Sequence, residues 1–584
     1  MTAITAAASH RLPGSTTKAE HQHESWKTGL AVAGLAGIAS FQKTLMVRPM
    51  AHQAIITAAS LAIGFGIGMG ADALAAGGEK LTGADQMTSR LALAGVGAVG
   101  VLATTIALHG HSNVPLAALR TGFGVIGGGA LVGAGLIAEQ HAVDAISDRV
   151  PGGALGAHAA ILGGAAVAAG ALMLAAVRPT AVSKAAEAAQ AAVRDALPKA
   201  STVPPAYDAV FNATVEAQRA GMTTISGKAA SSLLPFEGIE AQGQRFLNGV
   251  TPRAEIARVM GGAPEELTSP FRIYAGMHQA DSHAELVAKM IQEAGSLKNE
   301  AGRTALDSGT IIVNIPSGTG YIAPPQVQAA EFVTRGDVTS IGMQYWNKPS
   351  IASTGRVPDA AKPVDETIKQ LVPAVRARPN GANTKIVVYA ESLGSWSVQD
   401  ALKSGGTHTV EAHGLDLVVN AGTPRPSSFR TEHLGFAGHT TDPTGTITEI
   451  DNLTELPAIG TAARDKLKAV LVSHYNDPVT RWTPTQLVAA PPYLTSAENG
   501  VGIPRTMKWY PFVTGVQGLF DSTNGASLPK GVLGSSGHDY RGDIMPLFAD
   551  LLQKPFTKEQ ATAAIASANQ SELRFLAMTL NPTT

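Results

Sequence analysis

The chain contains no cysteine. It therefore forms no disulfide, offers no thiolate to a metal ion and has no cysteine nucleophile. The compartment stays open, because a protein without disulfides can lie on either side of a membrane. The chain also lacks an excess charge of either sign, since 44 Lys and Arg residues oppose 45 Asp and Glu residues. This balance argues against nucleic acid as a partner.

Charged residues are scarce between about residues 28 and 178, where Ala, Gly, Leu, Val and Ile dominate. Several apolar segments there approach the roughly 20 residues that a helix needs to cross a bilayer. A further one, 29–41, suits an interfacial helix as well as a span. We expect a polar tail at 1–27 and a multi-spanning membrane domain at 28–178, the alternative being buried Ala-rich helices of a soluble protein. The four predicted spans are 55–76, 91–108, 122–138 and 159–177.

Glycines in these segments predict close helix packing rather than ligand binding. Gly64 and Gly68 are four residues apart, which lets two helix backbones approach each other. Two GxGxxG patterns, at 95–100 and 122–127, are not part of a strand–turn–helix unit. We therefore expect no dinucleotide site here, and the sequence as a whole predicts neither a cofactor nor a metal site.

The pattern of apolar residues changes at residue 270, after a connector at 179–269. Short β-branched runs now alternate with helical patterns such as 282–298 and 362–377, which is typical of a parallel sheet covered by helices. We expect a catalytic domain at 270–584 with a mostly parallel sheet and helices on both faces. The predicted strands are 271–276, 310–316, 338–345, 385–391, 415–422 and 468–475.

The stretch KIVVYAESLGSWS joins a strand to a helix at Ser392. A nucleophile on such a strained turn needs small neighbours two positions away, and here these are Ala390 and Gly394. The pattern departs from GxSxG by one methyl group. The alternative is a serine in an ordinary tight turn, but the strand before it and the helix after it favour a nucleophile.

A serine nucleophile of an α/β-hydrolase requires an acid and then a histidine later in the chain. Asp477 follows the predicted strand 468–475 and is the candidate acid, because ligands of parallel sheets gather at the carboxyl ends of strands. Asp416 begins a strand, and Asp451 lies in sequence that we interpret as a loop. Asp477 is therefore the preferred residue, although an aspartate before proline is also common in solvated turns.

His538 is the candidate base because it lies in the glycine-rich loop SSGHDYRGD after the last predicted strand. His474 is the rival, but it precedes Asp477 and does not fit the order of the fold. The backbone N–H groups of Leu393, after the nucleophile, and of Ser317 and Gly318, after an early strand, are the candidate oxyanion donors. The alternative for the Ser317–Gly318 loop is a plain glycine turn.

Several motifs carry a resemblance to a known family. In order they are PSGTGY, GMQYW, YAESLGSWS, SHYNDPVTRWTPTQL, MKWYPFVTG and GHDY. Together they resemble the bacterial membrane-linked α/β-hydrolases, formerly a domain of unknown function, which join a multi-spanning amino-terminal domain to a serine hydrolase domain. Residues 232–249 also resemble the connector of that family. The resemblance implies Ser392, Asp477 and His538 as the catalytic triad and supplies no substrate.

These observations lead us to expect a membrane-anchored serine hydrolase that cleaves an ester or thioester, with lipid suggested by the bilayer tether alone. The alternatives are an acyltransferase that uses the same triad, a transporter regulated by a hydrolase-like domain, and an inactive binding module. We expect a multi-pass protein of the bacterial inner membrane. With four spans, ten Lys and Arg residues lie on the side of the amino-terminal tail and three on the other, which predicts a cytoplasmic catalytic domain. With 29–41 as a fifth span the counts are six and seven, and they favour neither side.

Overall fold

The structure is a computed structural model of the whole chain, and a defined set of its residues is described below. These are residues 25–107, 119–138 without 124, 128, 133 and 135, 223–227, 232–345, 357–402, 410–425, 427–434, 440–495, 500–525, 531–554 and 556–578.

The chain divides into two compact units, of which the first comprises residues 1–39 and 57–179. Its described part is helical because the sequence is apolar and rich in Ala and Leu, which favour helices. The helices are α1 (Ser25–Ala39), α2 (Met50–Thr82), which begins in the second unit, α3 (Gln86–Ala107) and α4 (Leu119–Ala138).

Two of the described helices, α2 and α4, are long and apolar enough to cross a membrane. They contain the predicted spans 55–76 and 122–138, and the weak segment 29–41 forms most of the shorter apolar helix α1. The predicted span 91–108 lies largely in the helix α3, and the predicted span 159–177 lies outside the described residues. The number of spans therefore stays a prediction.

Some glycines of the first unit lie where helices touch. A Cβ atom added to Gly68 would lie 2.6 Å from the carbonyl oxygen of Thr28, and one added to Gly97 would lie 2.6 Å from the Cα of Gly127. The second pair joins the two GxGxxG patterns, which thus pack α3 against α4. A buried ion pair also joins helices here, with Arg90 Nε 2.8 Å from Asp72 Oδ1.

The second unit, residues 40–56 and 180–584, contains a seven-stranded sheet in which every described pairing is parallel. The strand order is β1-β3-β2-β4-β5-β7-β6, so the chain reaches the sheet edge at β6 and returns inward to β7. The strands are β1 (Phe271–Ala275), β2 (Thr310–Ile315), β3 (Val338–Met343), β4 (Lys385–Glu391), β5 (Leu417–Ala421), β6 (Ile447–Ile450) and β7 (Ala469–Val472).

Helices alternate with the strands and cover both faces of the sheet. Two buried apolar clusters lie between the sheet and these helices, one on each face of the sheet. The helices are α5 (Ala241–Asn248), α6 (Arg253–Met260), α7 (His283–Ser296), α8 (Pro324–Val333), α9 (Val357–Arg376), α10 (Leu393–Leu402), α11 (Ser428–Leu434), α12 (Thr461–Arg464), α13 (Pro478–Arg481), α14 (Pro492–Thr495), α15 (Val513–Asn524), α16 (Arg541–Leu551) and α17 (Lys558–Met578). This architecture is the α/β-hydrolase fold that the sequence predicts for the carboxyl-terminal domain.

The described part of the connector packs onto the sheet as well. Ile225 forms a parallel bridge with Arg272, the second residue of β1. The buried guanidinium of Arg272 lies 2.6 Å from the carboxylate of Glu331 and also donates to the carbonyl of Phe246 at 2.6 Å. Residues before the predicted boundary at 270 thus contribute to the core of the second unit.

Candidate active site

Ser392 is the single residue between strand β4 and helix α10, and its φ is +57°. A non-glycine residue in this left-handed region carries strain, which is common at functional turns. The Ser392 N–H donates to the carbonyl of Ala421 at 2.9 Å, and the Ser392 carbonyl accepts from the N–H of Trp396 at 3.2 Å. The end of strand β5 and the first turn of α10 thus hold the serine in this conformation.

The residues on either side explain the departure from GxSxG. Ala390 lies in the middle of the sheet, fully buried, and its methyl group is accommodated there. Gly394 has no such room, because an added Cβ would lie 2.7 Å from the carbonyl oxygen of Pro316 and closer still to that of Ile315. The turn therefore requires glycine at 394 and tolerates alanine at 390.

Asp477 and His538 form a buried pair, with His538 Nδ1 2.8 Å from Asp477 Oδ2. Asp477 follows β7 and caps helix α13, its Oδ1 accepting from the N–H of Val479 at 2.8 Å. Its Oδ2 accepts a second hydrogen bond, from the Tyr540 hydroxyl at 2.6 Å. The carboxylate thus fixes the proton on Nδ1 of His538 and leaves Nε2 as the basic nitrogen.

The charges around His538 favour its protonated form. Burial alone lowers the pKa of an imidazole, but the nearby carboxylates of Asp477, Glu391 and Asp539 outweigh this effect and raise the pKa of His538 above its usual value. An imidazole of raised pKa holds the proton it takes from a nucleophile more firmly. The environment therefore suits a general base that becomes an imidazolium during the reaction.

His538 and Ser392 both lie beside the end of β5. A Cβ atom added to Gly422, whose φ is +60°, would lie 2.7 Å from Cε1 of His538. Ser392 contacts the preceding residue, Ala421, through its backbone N–H. Because β7 pairs with β5, the chain places Asp477 beside the same strand end. The structure thus brings the three predicted residues together around one position of the sheet.

The loop after β2 lies against the nucleophile turn through Pro316 and Gly394. Within this loop the Ser317 N–H donates to the carbonyl of Tyr321 at 3.2 Å, so it is engaged in its own turn. Gly318 is the other predicted donor in the loop. Leu393 is the first residue of α10, where backbone N–H groups have no partner within the helix.

The competing acids lie elsewhere or have other partners. Asp416 precedes β5 at the amino-terminal ends of the strands, away from Ser392, where it accepts from the N–H of Ile386 at 2.7 Å. Asp451 follows β6 and accepts from the N–H of Tyr475 at 2.5 Å. Among the residues that the structure describes, no group of three His, Asp or Glu side chains could hold a metal ion.

Two residues near the site, Tyr540 and Glu391, are not identified from the sequence. Tyr540 is part of the GHDY motif, and its hydrogen bond to Asp477 becomes visible only in the fold. Glu391 directly precedes Ser392, and burial raises its pKa to about 7, with Asp539 and Asp477 adding to the effect of burial and His538 and Arg541 opposing it. Their position beside recognisable motifs is the only sequence signal.

Of three comparisons with known proteins, one finds a match. No curated protein and no solved structure matches the chain. A family model described as the alpha/beta-hydrolase family matches residues 271–565, which is just over half of the chain and contains Ser392, Asp477 and His538. The chain therefore belongs to the alpha/beta-hydrolase family.

Proposed function

We propose that the chain is a membrane-anchored serine hydrolase that cleaves an ester or thioester through Ser392, His538 and Asp477. The observation that carries this proposal is the convergence of a strained serine and a buried Asp–His pair on the end of β5. A structural serine needs neither a left-handed conformation nor such a neighbour. The membership of the family supports the hydrolase class.

In this proposal Nε2 of His538 takes the hydroxyl proton of Ser392 as Oγ attacks the substrate carbonyl. The tetrahedral intermediate collapses when His538 returns that proton to the leaving alcohol or thiol, and an acyl-enzyme remains. Water then attacks the acyl group in the reverse sequence and releases the acid. An alcohol in place of water would turn the same residues to acyl transfer.

The backbone N–H groups of Leu393 and Gly318 are the proposed donors to the oxyanion. Leu393 begins a helix whose first N–H groups point toward the nucleophile turn, and Gly318 lies in the loop that contacts this turn. Ser317, the third predicted donor, takes this part only if its bond to Tyr321 opens. Asp477 keeps the imidazole oriented and stabilises the imidazolium.

Membrane anchoring rests on the first unit. Its helices α2 and α4 have the length and composition of spans. Large apolar side chains on α1 and α2 are exposed, as expected of surfaces that face lipid tails, including Leu30, Leu35, Ile38 and Leu61. A catalytic domain tethered in this way meets acyl groups at a bilayer, and we therefore propose a lipid-linked ester as the substrate class.

The test is hydrolysis of short p-nitrophenyl esters by the full-length protein and its variants. Ser392→Ala and His538→Ala should each lower turnover by roughly a million-fold, and Asp477→Asn by roughly ten-thousand-fold, because nucleophile and base remain in the last variant. Thermal unfolding checks that each variant folds. Full activity in folded His538→Ala would refute the proposed triad.

A further inference from the structure

A second histidine–carboxylate pair lies beneath the loop that carries His538. His474 Nε2 is 3.0 Å from Asp543 Oδ2, and both side chains are buried. His474 Nδ1 is 2.8 Å from the carbonyl oxygen of Gly537, the residue immediately before His538. The mechanism proposed above assigns no role to this pair.

The hydrogen-bond partners of the two ring nitrogens of His474 indicate where the ring carries its protons. A carbonyl oxygen only accepts hydrogen bonds, so Nδ1 carries a proton, and Nε2 faces a carboxylate. Burial alone lowers the pKa of His474, but the hydrogen bond and charge of Asp543, the Gly537 carbonyl and the charge of Asp477 outweigh it and raise this pKa. An imidazolium donates from both ring nitrogens, which suits these two acceptors.

Asn476, two residues after His474, also forms hydrogen bonds to the loop before His538. The Gly537 N–H donates to Asn476 Oδ1 at 2.9 Å, and Asn476 Nδ2 donates to Ser536 Oγ at 2.9 Å. Ser535 Oγ donates at 2.5 Å to Oδ1 of Asp543, the carboxylate oxygen that does not face His474. Residues 535–537 are thus held from the end of β7 and from α16, through two hydroxyl groups and the backbone of Gly537.

Tyr540 links this pair to the proposed triad. Its ring stacks on His474 with centroids 4.2 Å apart. Its hydroxyl accepts from the N–H of His474 at 3.2 Å and donates to Asp477 at 2.6 Å. The groups with charge or titratable protons that face His474 are therefore Asp543 from α16, Asp477 from the start of α13, and the Tyr540 hydroxyl.

We propose that His474, as an imidazolium paired with Asp543, is a positioning residue for His538, and that loss of its proton lowers activity on the alkaline side. A neutral His474 donates from one nitrogen only. Either the Gly537 carbonyl then loses its donor, or a lone pair faces the carboxylate of Asp543, and both states loosen the peptide that carries His538. This inference rests on the proposed function, since it assigns His538 the role of base.

The experiment follows the rate at which a fluorophosphonate labels the full-length protein in detergent as the pH is varied. Labelling should rise as His538 loses its proton and fall at higher pH as His474 loses its own, which gives a bell-shaped profile. Asp543→Asn removes the carboxylate that raises the pKa of His474, so the alkaline fall should move to lower pH.

His474→Gln supplies an amide that donates to Gly537 but does not titrate. It should keep labelling at neutral pH within roughly 10-fold of wild type, the scale of one weakened hydrogen bond, and lose the alkaline fall. The matched control is the exposed His278, whose change to Gln should leave the profile as it is. Thermal unfolding verifies that both variants fold.

The outcomes separate the two proposals. Wild-type protein that shows no labelling at any pH contradicts the proposed function itself. Labelled wild type without an alkaline fall, or an alkaline fall at the same pH in His474→Gln or Asp543→Asn, overturns the role of His474 and leaves the proposed function standing. If one variant does not fold, the other gives this answer, because each tests the same pair.

Discussion

At the residue scale, the strain at Ser392 is the strongest local sign of function. A left-handed conformation costs an L-residue roughly 1–2 kcal/mol, and the structure offsets it with the hydrogen bond to Ala421 and the start of α10. An ordinary turn would place glycine or asparagine here. The serine is retained at a position that penalises its backbone, which favours a role for its hydroxyl.

Glu391 offers a test of the electrostatics around His538. Its charge raises the pKa of His538, and its own pKa of about 7 means that it ionises near neutral pH. His538 acts as a base only when neutral, so activity should grow as pH rises through its raised pKa. Glu391→Gln removes a negative charge, lowers this pKa and should move the acidic limb of kcat/KM to lower pH.

The control for this prediction is Glu265→Gln, which changes an exposed carboxylate in the 3-10 turn before strand β1. It should leave the pH profile of ester hydrolysis unchanged. An acidic limb at the wild-type pH in Glu391→Gln would mean that Glu391 does not act on His538.

The sequence singles out Ser392, Asp477 and His538 because each follows a strand or lies in a glycine-rich loop in the order that the fold requires. It does not single out Tyr540 or Glu391, since a hydroxyl or carboxylate acquires its role only from residues that are distant in the chain. The tolerance of Ala390 and the requirement for Gly394 depend on the packing of β2 against the turn. Neither is visible in a motif.

At the scale of elements, the sequence predicts six of the strands to within a few residues and misses β6. The missed strand has four residues and lies at the edge of the sheet, so it lacks the long apolar run of a buried strand. After β6 the chain returns inward and forms β7 beside β5, and this places Asp477, which follows β7, near the end of β5. Alternation of strands and helices predicts the parallel sheet, but the order of the strands depends on contacts between segments far apart.

The loop after β2 carries a prediction about the oxyanion. Gly318→Pro removes the backbone N–H that we propose as a donor, and turnover of p-nitrophenyl esters should fall about 100-fold, with a smaller change in KM. Gly318→Ala is the matched control, because alanine keeps the N–H, and the variant should stay within a few-fold of wild type. Equal turnover in Gly318→Pro and Gly318→Ala would show that the backbone N–H of Gly318 does not donate to the oxyanion.

The segment 40–56 packs with the hydrolase domain of its unit, and the contacting residues Arg48 and Asp521 are 473 positions apart in sequence. Arg48 Nε lies 2.6 Å from Asp521 Oδ1 in helix α15, and both side chains are almost fully buried. Asn524, at the end of α15, donates to the carbonyl of Val47 at 3.1 Å. No local pattern could have predicted this contact.

Removal of one partner from such a buried pair leaves an uncompensated charge. Arg48→Ala should therefore lower the free energy of unfolding by about 3–5 kcal/mol. Arg258→Ala, which breaks an exposed pair with Glu255, should change it by less than about 1 kcal/mol. Thermal unfolding of the full-length protein followed by tryptophan fluorescence measures both, and similar Tm values would contradict the packing of this segment.

At the scale of the whole molecule, the four-span topology assigns ten Lys and Arg residues to the side of the amino-terminal tail and three to the other. The positive-inside rule then places the tail and the hydrolase domain in the cytoplasm. A reporter fused after Thr584 tests this arrangement. A cytoplasmic reporter should be active there, and active alkaline phosphatase with a silent cytoplasmic reporter would show that the domain is exported.

Two units of different composition follow from the sequence, because apolar helices and an alternating α/β pattern belong to different environments. The membership of residues 40–56 in the second unit does not follow from the sequence, and neither does the pairing of Ile225 with β1. Both depend on buried polar contacts, such as Arg48 with Asp521 and Arg272 with Glu331, that form only when distant segments meet.

The central claim is that Ser392 is a nucleophile activated by His538. Its most direct test is to treat the full-length protein with a fluorophosphonate and to map the modified residue by mass spectrometry of its peptides. The account predicts a single adduct on Ser392, its absence in Ser392→Ala, and labelling of His538→Ala that is slower by at least about 100-fold. An adduct on another serine, or no adduct on folded wild-type protein, would contradict the account.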